Sequence, residues 1–282
     1  MCRNTVLAAT ALALILAAPS LAFAHKHDAP AAQASAQQAP QDAAKAAPRK
    51  ATAEQRAQAE RLDPLARAAF WSNEAIIDPG DAEAGVKLAS ALRGLGRNDE
   101  AADAAQQVLV VHPDDKGALL EAARGYLASG AGFNAIDPLK RLQALDARDW
   151  RALSLLGVAY EQTERPGEAE AAWNQALALS PNNPAVLTNL AMHYAAKGDQ
   201  ARAESLLRTA AAQPGSTIQV RQNLALILGL EGKFAEAEQI TRQDLPPEAA
   251  NNNLAYMRAA TGGGTDARSW DALRGAQTAA GS

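Results

Sequence analysis

The chain has 282 residues, with 27 Lys and Arg against 31 Asp and Glu and a formal net charge of −4. That balance gives no footprint for a duplex-binding surface, because phosphate recognition needs a clustered excess of Lys and Arg. Of its residues 48% are apolar but only 4% aromatic, and the single cysteine is Cys2. Helices packed through alanine are therefore expected over strands, and a disulfide framework, a thiolate zinc site and a catalytic cysteine of the mature chain are excluded.

Residues 1–24 read as a secretory signal. Arg3 is the one positive charge, Thr5 to Ala18 is an uncharged apolar run, and Ala22-Phe23-Ala24 offers small residues ahead of cleavage before His25. The alternative is an uncleaved anchor, since Val6 to Ala24 is nearly long enough to span a bilayer. No cysteine stands at the cleavage point to take an acyl anchor, and Cys2 leaves with the signal. The expected product is exported, periplasmic in a Gram-negative envelope, and not an evident lipoprotein. Residues 25–49 are mostly Ala, Gln, Pro, Asp and Lys, without a bulky apolar side chain to offset ordering entropy, and read as a disordered linker. His25 and His27 lie on that tether with too few fixed neighbours for a metal site.

From Ala82 the sequence repeats with a period of thirty-four: 82–115, 116–149, 150–183, 184–217 and 218–251. Position 8 is Ala89, Ala123, Gly157, Ala191 or Ala225, and position 20 is Ala101, Ala135, Ala169, Ala203 or Ala237. Only short side chains let the two helices of a hairpin approach closely. Position 11 carries a large residue (Leu92, Tyr126, Tyr160, Tyr194, Leu228), and position 15 is Gly96, Gly130, Gly198 or Gly232, where a helix ends in a left-handed residue. The third copy has Glu164 there, and its turn is expected to shift to Arg165-Pro166-Gly167. Pro113 and Pro181 close second helices, with Asp and Asn nearby as caps.

These residues resemble the tetratricopeptide repeat, most closely in the third copy through Leu153, Leu156-Gly157, Tyr160, Ala169, Trp173, Ala176 and Pro181. The resemblance implies an all-α fold, a right-handed α-solenoid of five clear repeats. One period upstream, Trp71 and Pro79 fit the pattern but Arg67 replaces the small residue between Ala66 and Ala68, so residues 50–81 read as a degenerate N-terminal hairpin. Leu245-Pro246-Pro247-Glu248 ends the last repeat and starts a capping helix over 249–260 with Leu254, Ala255 and Met257 inward, completing a repeat domain over 50–260. Residues 261–282 read as a flexible tail, in which Trp270 and Leu273 share one helical face and are expected to dock back on the chain, with a partner-binding tail as the alternative.

No local motif points to catalysis. His112 and His193 have no second histidine at ligand spacing, the Gly262-Gly263-Gly264 run lacks the Lys and Ser/Thr of a phosphate loop, and no nucleophile elbow is present. Glu168, Glu170, Glu204, Glu236 and Glu238 read as solvated helix faces. The expectation is a nonenzymatic chain without cofactor, metal, nucleic acid or small-molecule substrate. Membrane contact is expected only through partners or an uncleaved anchor.

A stack of helical hairpins offers instead a curved groove lined by its first helices. The repeat resemblance implies inward positions 2, 5, 9, 12 and 13, which here hold Arg93, Leu120, Arg124, Leu127, Arg151, Val158, Glu161, Gln162, Thr188, Met192, Gln222 and Leu226. Such a lining suits a segment of another protein. Asn189 and Asn223, both at position 6, imply a hold on a ligand backbone, with a packing role as the alternative. Arg124 and Arg151 fit a partner carboxylate or, alternatively, Glu121 and Glu161 of the chain itself.

A narrower resemblance rests on Arg221-Gln222-Asn223-Leu224-Ala225-Leu226, Gly229-Leu230, Phe234-Ala235-Glu236-Ala237-Glu238, Asp244-Leu245-Pro246-Pro247-Glu248-Ala249-Ala250 and Asn253-Leu254-Ala255-Tyr256. Asp149-Trp150-Arg151 with Leu153 to Tyr160, and Pro184 to Met192, add to it. The chain is similar in these stretches, over roughly 60–260, to the TadD family of Flp (tight adherence) pilus assembly proteins. The resemblance implies an envelope scaffold whose protein partners are Tad/Flp secretion components; the alternative is a general periplasmic tetratricopeptide-repeat adaptor or chaperone unrelated to pili. Members are often lipoproteins, so the missing lipidation cysteine favours a soluble periplasmic adaptor.

Overall fold

The computed structural model describes residues 49–262. The expected signal, nearly all of the linker and the Trp270–Leu273 pair lie outside these residues. Among the described residues there are thirteen helices and no strand. Helices α1 (Ala53–Ala59) and α2 (Pro64–Ile77) precede five hairpins. These are α3 (Ala82–Gly94) with α4 (Asn98–Val111), α5 (Lys116–Ala128) with α6 (Gly132–Leu145), and α7 (Trp150–Gln162) with α8 (Pro166–Leu179). Then come α9 (Pro184–Ala196) with α10 (Gln200–Ala211), α11 (Ile218–Leu230) with α12 (Phe234–Asp244), and a last helix α13 (Pro247–Gly262). The result is an α-solenoid in which each helix packs on its sequence neighbours and each first helix on the next first helix.

The start of every first helix is written one residue before it. Asp81, Asp115, Asp149, Asn183 and Thr217 stand thirty-four apart, and the side chain of each accepts a backbone N–H of the turn that follows. The end of every first helix is equally regular: the N–H of position 16 donates to the carbonyl of position 11 in all five hairpins, from Arg97 to Leu92 through Lys233 to Leu228. That closure needs a left-handed residue at position 15. Four glycines supply it, with φ from 72° to 84°.

The third hairpin departs from expectation here, because its turn is not shifted. Glu164 itself adopts φ 57°, Arg165 donates to Tyr160 as its counterparts do, and α8 starts at Pro166 in the common frame. The closure outweighs the cost of a left-handed non-glycine residue, on the order of 1–2 kcal/mol. Replacing that exposed side chain, Glu164→Gly, is expected to raise Tm by about 2 °C, the net of released strain and greater unfolded-state entropy. Thermal unfolding by circular dichroism checks this; an unchanged or lower Tm means that the turn carries no strain.

All ten small side chains at positions 8 and 20 are buried. Where position 8 is glycine, at Gly157, the Trp173 ring of α8 occupies the space that a Cβ would take. Its indole N–H donates 3.0 Å to the carbonyl of Ser154, so the ring is fixed from both sides. In the degenerate N-terminal unit Ala68 takes the place of the missing small residue, one step beyond Arg67, and Trp71 is fully buried beside it. At the other end Leu254 and Met257 of α13 are buried, but Ala255 is exposed and Ala250 is the inward alanine. Helical geometry gives the reason: Ala250, Leu254 and Met257 fall at i, i+4 and i+7, and Ala255 lies off that stripe.

Candidate partner groove

Several side chains expected to line the groove are occupied by the fold. Leu120, Leu127 and Leu226 are buried in the core and unavailable to a partner, because adjacent first helices pack against each other at those positions. Val158 is half-buried against the same core.

The charged candidates are each engaged by another side chain of the same protein. Arg93 Nε donates to Glu121 at 3.1 Å, and Arg124 donates to the other oxygen of the same carboxylate at 2.7 Å. Glu121 is buried between these two guanidinium groups. Arg151 turns back onto Asp149, the cap of its own helix, donating two bonds of 2.8 and 2.7 Å to that carboxylate rather than reaching Glu161. The Arg151 guanidinium, more than the Asp149 burial that opposes it, holds the Asp149 carboxyl below the usual carboxylate range. Glu161 lies 2.9 Å from Nδ1 of His193, whose side chain is fully buried between α7, α8 and α9 with Trp173 against its ring. His193 is therefore a packed core residue with Glu161 on one nitrogen and Glu170 near the other. Gln162 donates to the carbonyl of Leu127 and ties α7 to the end of α5.

In the last two repeats the lining changes character. A cleft of about 520 Å³ opens between α9 and α11. From α9 it is lined by Asn183, Thr188, Asn189 and Met192, and from the far side by Thr217, Gln219 and Asn223. The structure thus brings the two position-6 asparagines to one cavity. They are not equivalent: Asn189 is half-buried, whereas Asn223 is buried and already engaged within the chain. Thr188 donates back to the carbonyl of Pro184. Gln222 is drawn away from the cleft, donating to Asp244 at 3.3 Å.

Asp244 is the hub of a closure that sequence reading missed. Arg221 grips it with bonds of 2.8 and 2.7 Å, joining the start of α11 to the end of α12 just before the Leu245-Pro246-Pro247 break. The guanidinium holds the Asp244 carboxyl below its ordinary range. Both residues stand in the quoted strings, but their separation of twenty-three gives no local sign of contact.

Asn189→Ala is expected to weaken partner binding while leaving helicity and Tm unchanged. The Asn223→Ala change is expected to cost about 1 kcal/mol of stability as well, since it removes a buried amide from its partner. Isothermal titration with a bound segment, beside thermal unfolding, separates the two effects. Unaltered affinity in Asn189→Ala would discard the cleft as the contact.

Among the described residues no group of three or more His, Cys, Asp or Glu is arranged to hold a metal ion, and no helix is long and apolar enough to cross a membrane.

Comparison with known proteins gives the same architecture. Residues 86–149 and 150–183 match models described as tetratricopeptide repeat. Among solved structures, a tetratricopeptide repeat protein of Parabacteroides merdae is similar over 72% of this chain and 80% of its own, at 15% identity and a TM-score of 0.62. A thermophilic tetratricopeptide repeat protein of Thermus thermophilus is similar over 63% of this chain and 99% of its own, at 23% identity and a TM-score of 0.56. Pseudomonas aeruginosa PilF is similar over 67% of this chain and 84% of its own, at 17% identity and a TM-score of 0.51. These identities carry the fold alone. Among curated proteins, cellulose synthase operon protein C of Pseudomonas fluorescens is 37% identical over 130 residues, 45% of this chain but 10% of that protein. The chain therefore spans a small part of that relative.

Proposed function

We propose that this chain, whose residues 86–183 match tetratricopeptide repeat models, is a noncatalytic protein-interaction scaffold of the cell envelope that assists assembly of a Flp (tight adherence) pilus. The observation that carries the binding role is the open cleft between α9 and α11, which presents Asn189 among side chains that the fold leaves facing the groove. The pilus assignment is supported by the TadD-like strings. Arg221 and Asp244, which belong to them, are joined in space and close the last hairpin. An exported location rests on the signal-like residues 1–24.

Deletion of the gene is expected to abolish surface pili, and the tagged protein to co-purify with a Tad component after crosslinking in the envelope. Normal piliation without a Tad partner rejects the pilus assignment. A second reading is favoured by the relative named for a cellulose synthase operon: an adaptor in another envelope complex, unrelated to pili. A crosslinked partner from a polysaccharide system, with pili intact, selects it.

A further inference from the structure

Away from the first-helix groove, the aromatic residue at position 11 fills the space between successive second helices. The Tyr194 hydroxyl donates 2.7 Å to Glu170 of α8, and Arg202 of α10 covers its ring at 4.4 Å. One repeat earlier Arg165 covers Tyr160 at 4.5 Å and is itself held by Glu168. The first repeat keeps the frame of this device but not the ring. Its position 11 is Leu92, the facing wall on α2 is Ala68, Ala69 and Ser72, and a cavity of about 400 Å³ opens between α2 and α4. At the mouth Arg97 is held by Glu100 with bonds of 2.7 and 2.5 Å, in the same two repeat positions as Arg165 and Glu168. The fifth repeat also has leucine at position 11, but there Lys233 and Glu204 pair across the second helices and Leu228 is fully buried. At the rim of the first-repeat cavity Leu65 is 66% exposed, and Asp103 on the α4 wall forms no ion pair among the described residues.

We propose that this cavity between α2 and α4 receives Trp270 of a second copy of the chain, with Leu273 set on Leu65 and Arg274 at Asp103. In the sequence Trp270, Leu273 and Arg274 stand at i, i+3 and i+4, so one helical turn presents a ring, an aliphatic and a cation on one face. The cavity answers each of them: Arg97 is placed to cover a ring as Arg165 does, Leu65 is uncovered, and Asp103 is unpaired. The chain's own tail is too short to make the contact. The eight residues from Gly262 to Trp270 span at most about 28 Å. Helix α13 lies five first-helix steps beyond α3, at about 8–10 Å each. Because the contact joins different surfaces of the two copies, it propagates head to tail into chains or closes into rings.

Fluorescence anisotropy of a labelled synthetic peptide of residues 263–282, titrated with the full chain carrying Trp270→Ala, tests the site. Trp270→Ala in the peptide should weaken binding about tenfold or more, as loss of a buried aromatic anchor does. Leu92→Tyr in the protein, which restores the ring of the neighbouring repeats, should raise Tm by filling the cavity and weaken the peptide to a similar degree. Ala69→Arg, at an exposed wall position, should weaken it equally with the circular dichroism spectrum unchanged. In sedimentation velocity the average mass of the unaltered full chain should rise with concentration, and the rise should vanish in Trp270→Ala. No peptide binding, or full affinity in Ala69→Arg, overturns the site. Association that survives Trp270→Ala overturns the assignment of the tail as occupant, and a monomer at every concentration overturns the second copy.

Discussion

Gly157→Leu is expected to lower the stability of the protein by about 3 kcal/mol, the upper part of the range for overpacking a core. Even a Cβ at this position overlaps the Trp173 ring. The ring has no route of escape, being 2% exposed and held by its N–H on the Ser154 carbonyl. Neighbouring repeats show the compensating choice: Ala123 goes with Leu139 and Ala191 with Leu207 at the same two positions, all four fully buried. Gly157→Ala combined with Trp173→Leu should therefore be more stable than the two single changes predict, by about 1 kcal/mol or more of coupling. Gly167, also in α8 but with open space around its Cβ direction, is the control, and Gly167→Ala should be neutral or slightly stabilising. Urea unfolding of the set measures these differences. Strict additivity of the pair, or a destabilising Gly167→Ala equal to Gly157→Ala, would contradict the contact.

Arg56→Ala is expected to release α1 while the five hairpins stay folded. Little apolar surface holds this seven-residue helix, whose only buried side chain is Ala59. Its anchor is ionic: Arg56 Nη2 lies 2.6 Å from both Glu74 and Asp81, Nη1 lies 2.9 Å from Glu83, and Glu74 also takes the N–H of Ala51 at 3.0 Å. Glu74 is 2% exposed, so removing the guanidinium leaves a buried carboxylate unpaired, at a cost of about 3–5 kcal/mol. Detachment of α1 hydrates that carboxylate and limits the loss to the end of the solenoid. Hydrogen exchange should show α1 amides unprotected and α3 to α13 unchanged; continued protection of α1 would mean that packing, not charge, docks it.

Acid should produce the same release. Burial pushes the Asp81 carboxyl up, but hydrogen bonds from Arg56, Lys50 and the N–H of Ala84 together outweigh it and hold the group well below the carboxylate range. A depressed folded-state value contributes stability that is complete above the unfolded value, near pH 4, and is lost as pH falls through the lower folded value. Exchange followed from pH 5 downward should therefore lose α1 first, since Asp81 also caps α3 only through one backbone N–H.

The architecture was legible in the sequence because every device that makes it is local and recurs. A cap residue before each first helix, a small residue at each close contact and a left-handed residue at each turn lie within one thirty-four-residue unit, and repetition made them visible. Local rules failed where two of them competed. Glutamate disfavours a left-handed turn, yet the Arg165-to-Tyr160 closure imposes one on Glu164.

The groove was less legible. Its helix face followed from the period, but the availability of each side chain on that face did not. Leu120, Leu127 and Leu226 are consumed by packing between first helices, and Arg151 by its own cap. Asn189 and Asn223 share a position and a cavity but differ in burial, because their neighbours differ.

The amino-acid sequence by itself thus determined helix placement, hairpin pairing and solenoid class, since backbone capping and contact size act over a few residues. Only the tertiary structure decided which charges are spent internally, which leucines are covered, and where a neutral cleft remains open. Those outcomes depend on groups eighteen or more residues away, as Arg56 is from Glu74 and Arg221 from Asp244, and proximity across such gaps is created only when the helices stack.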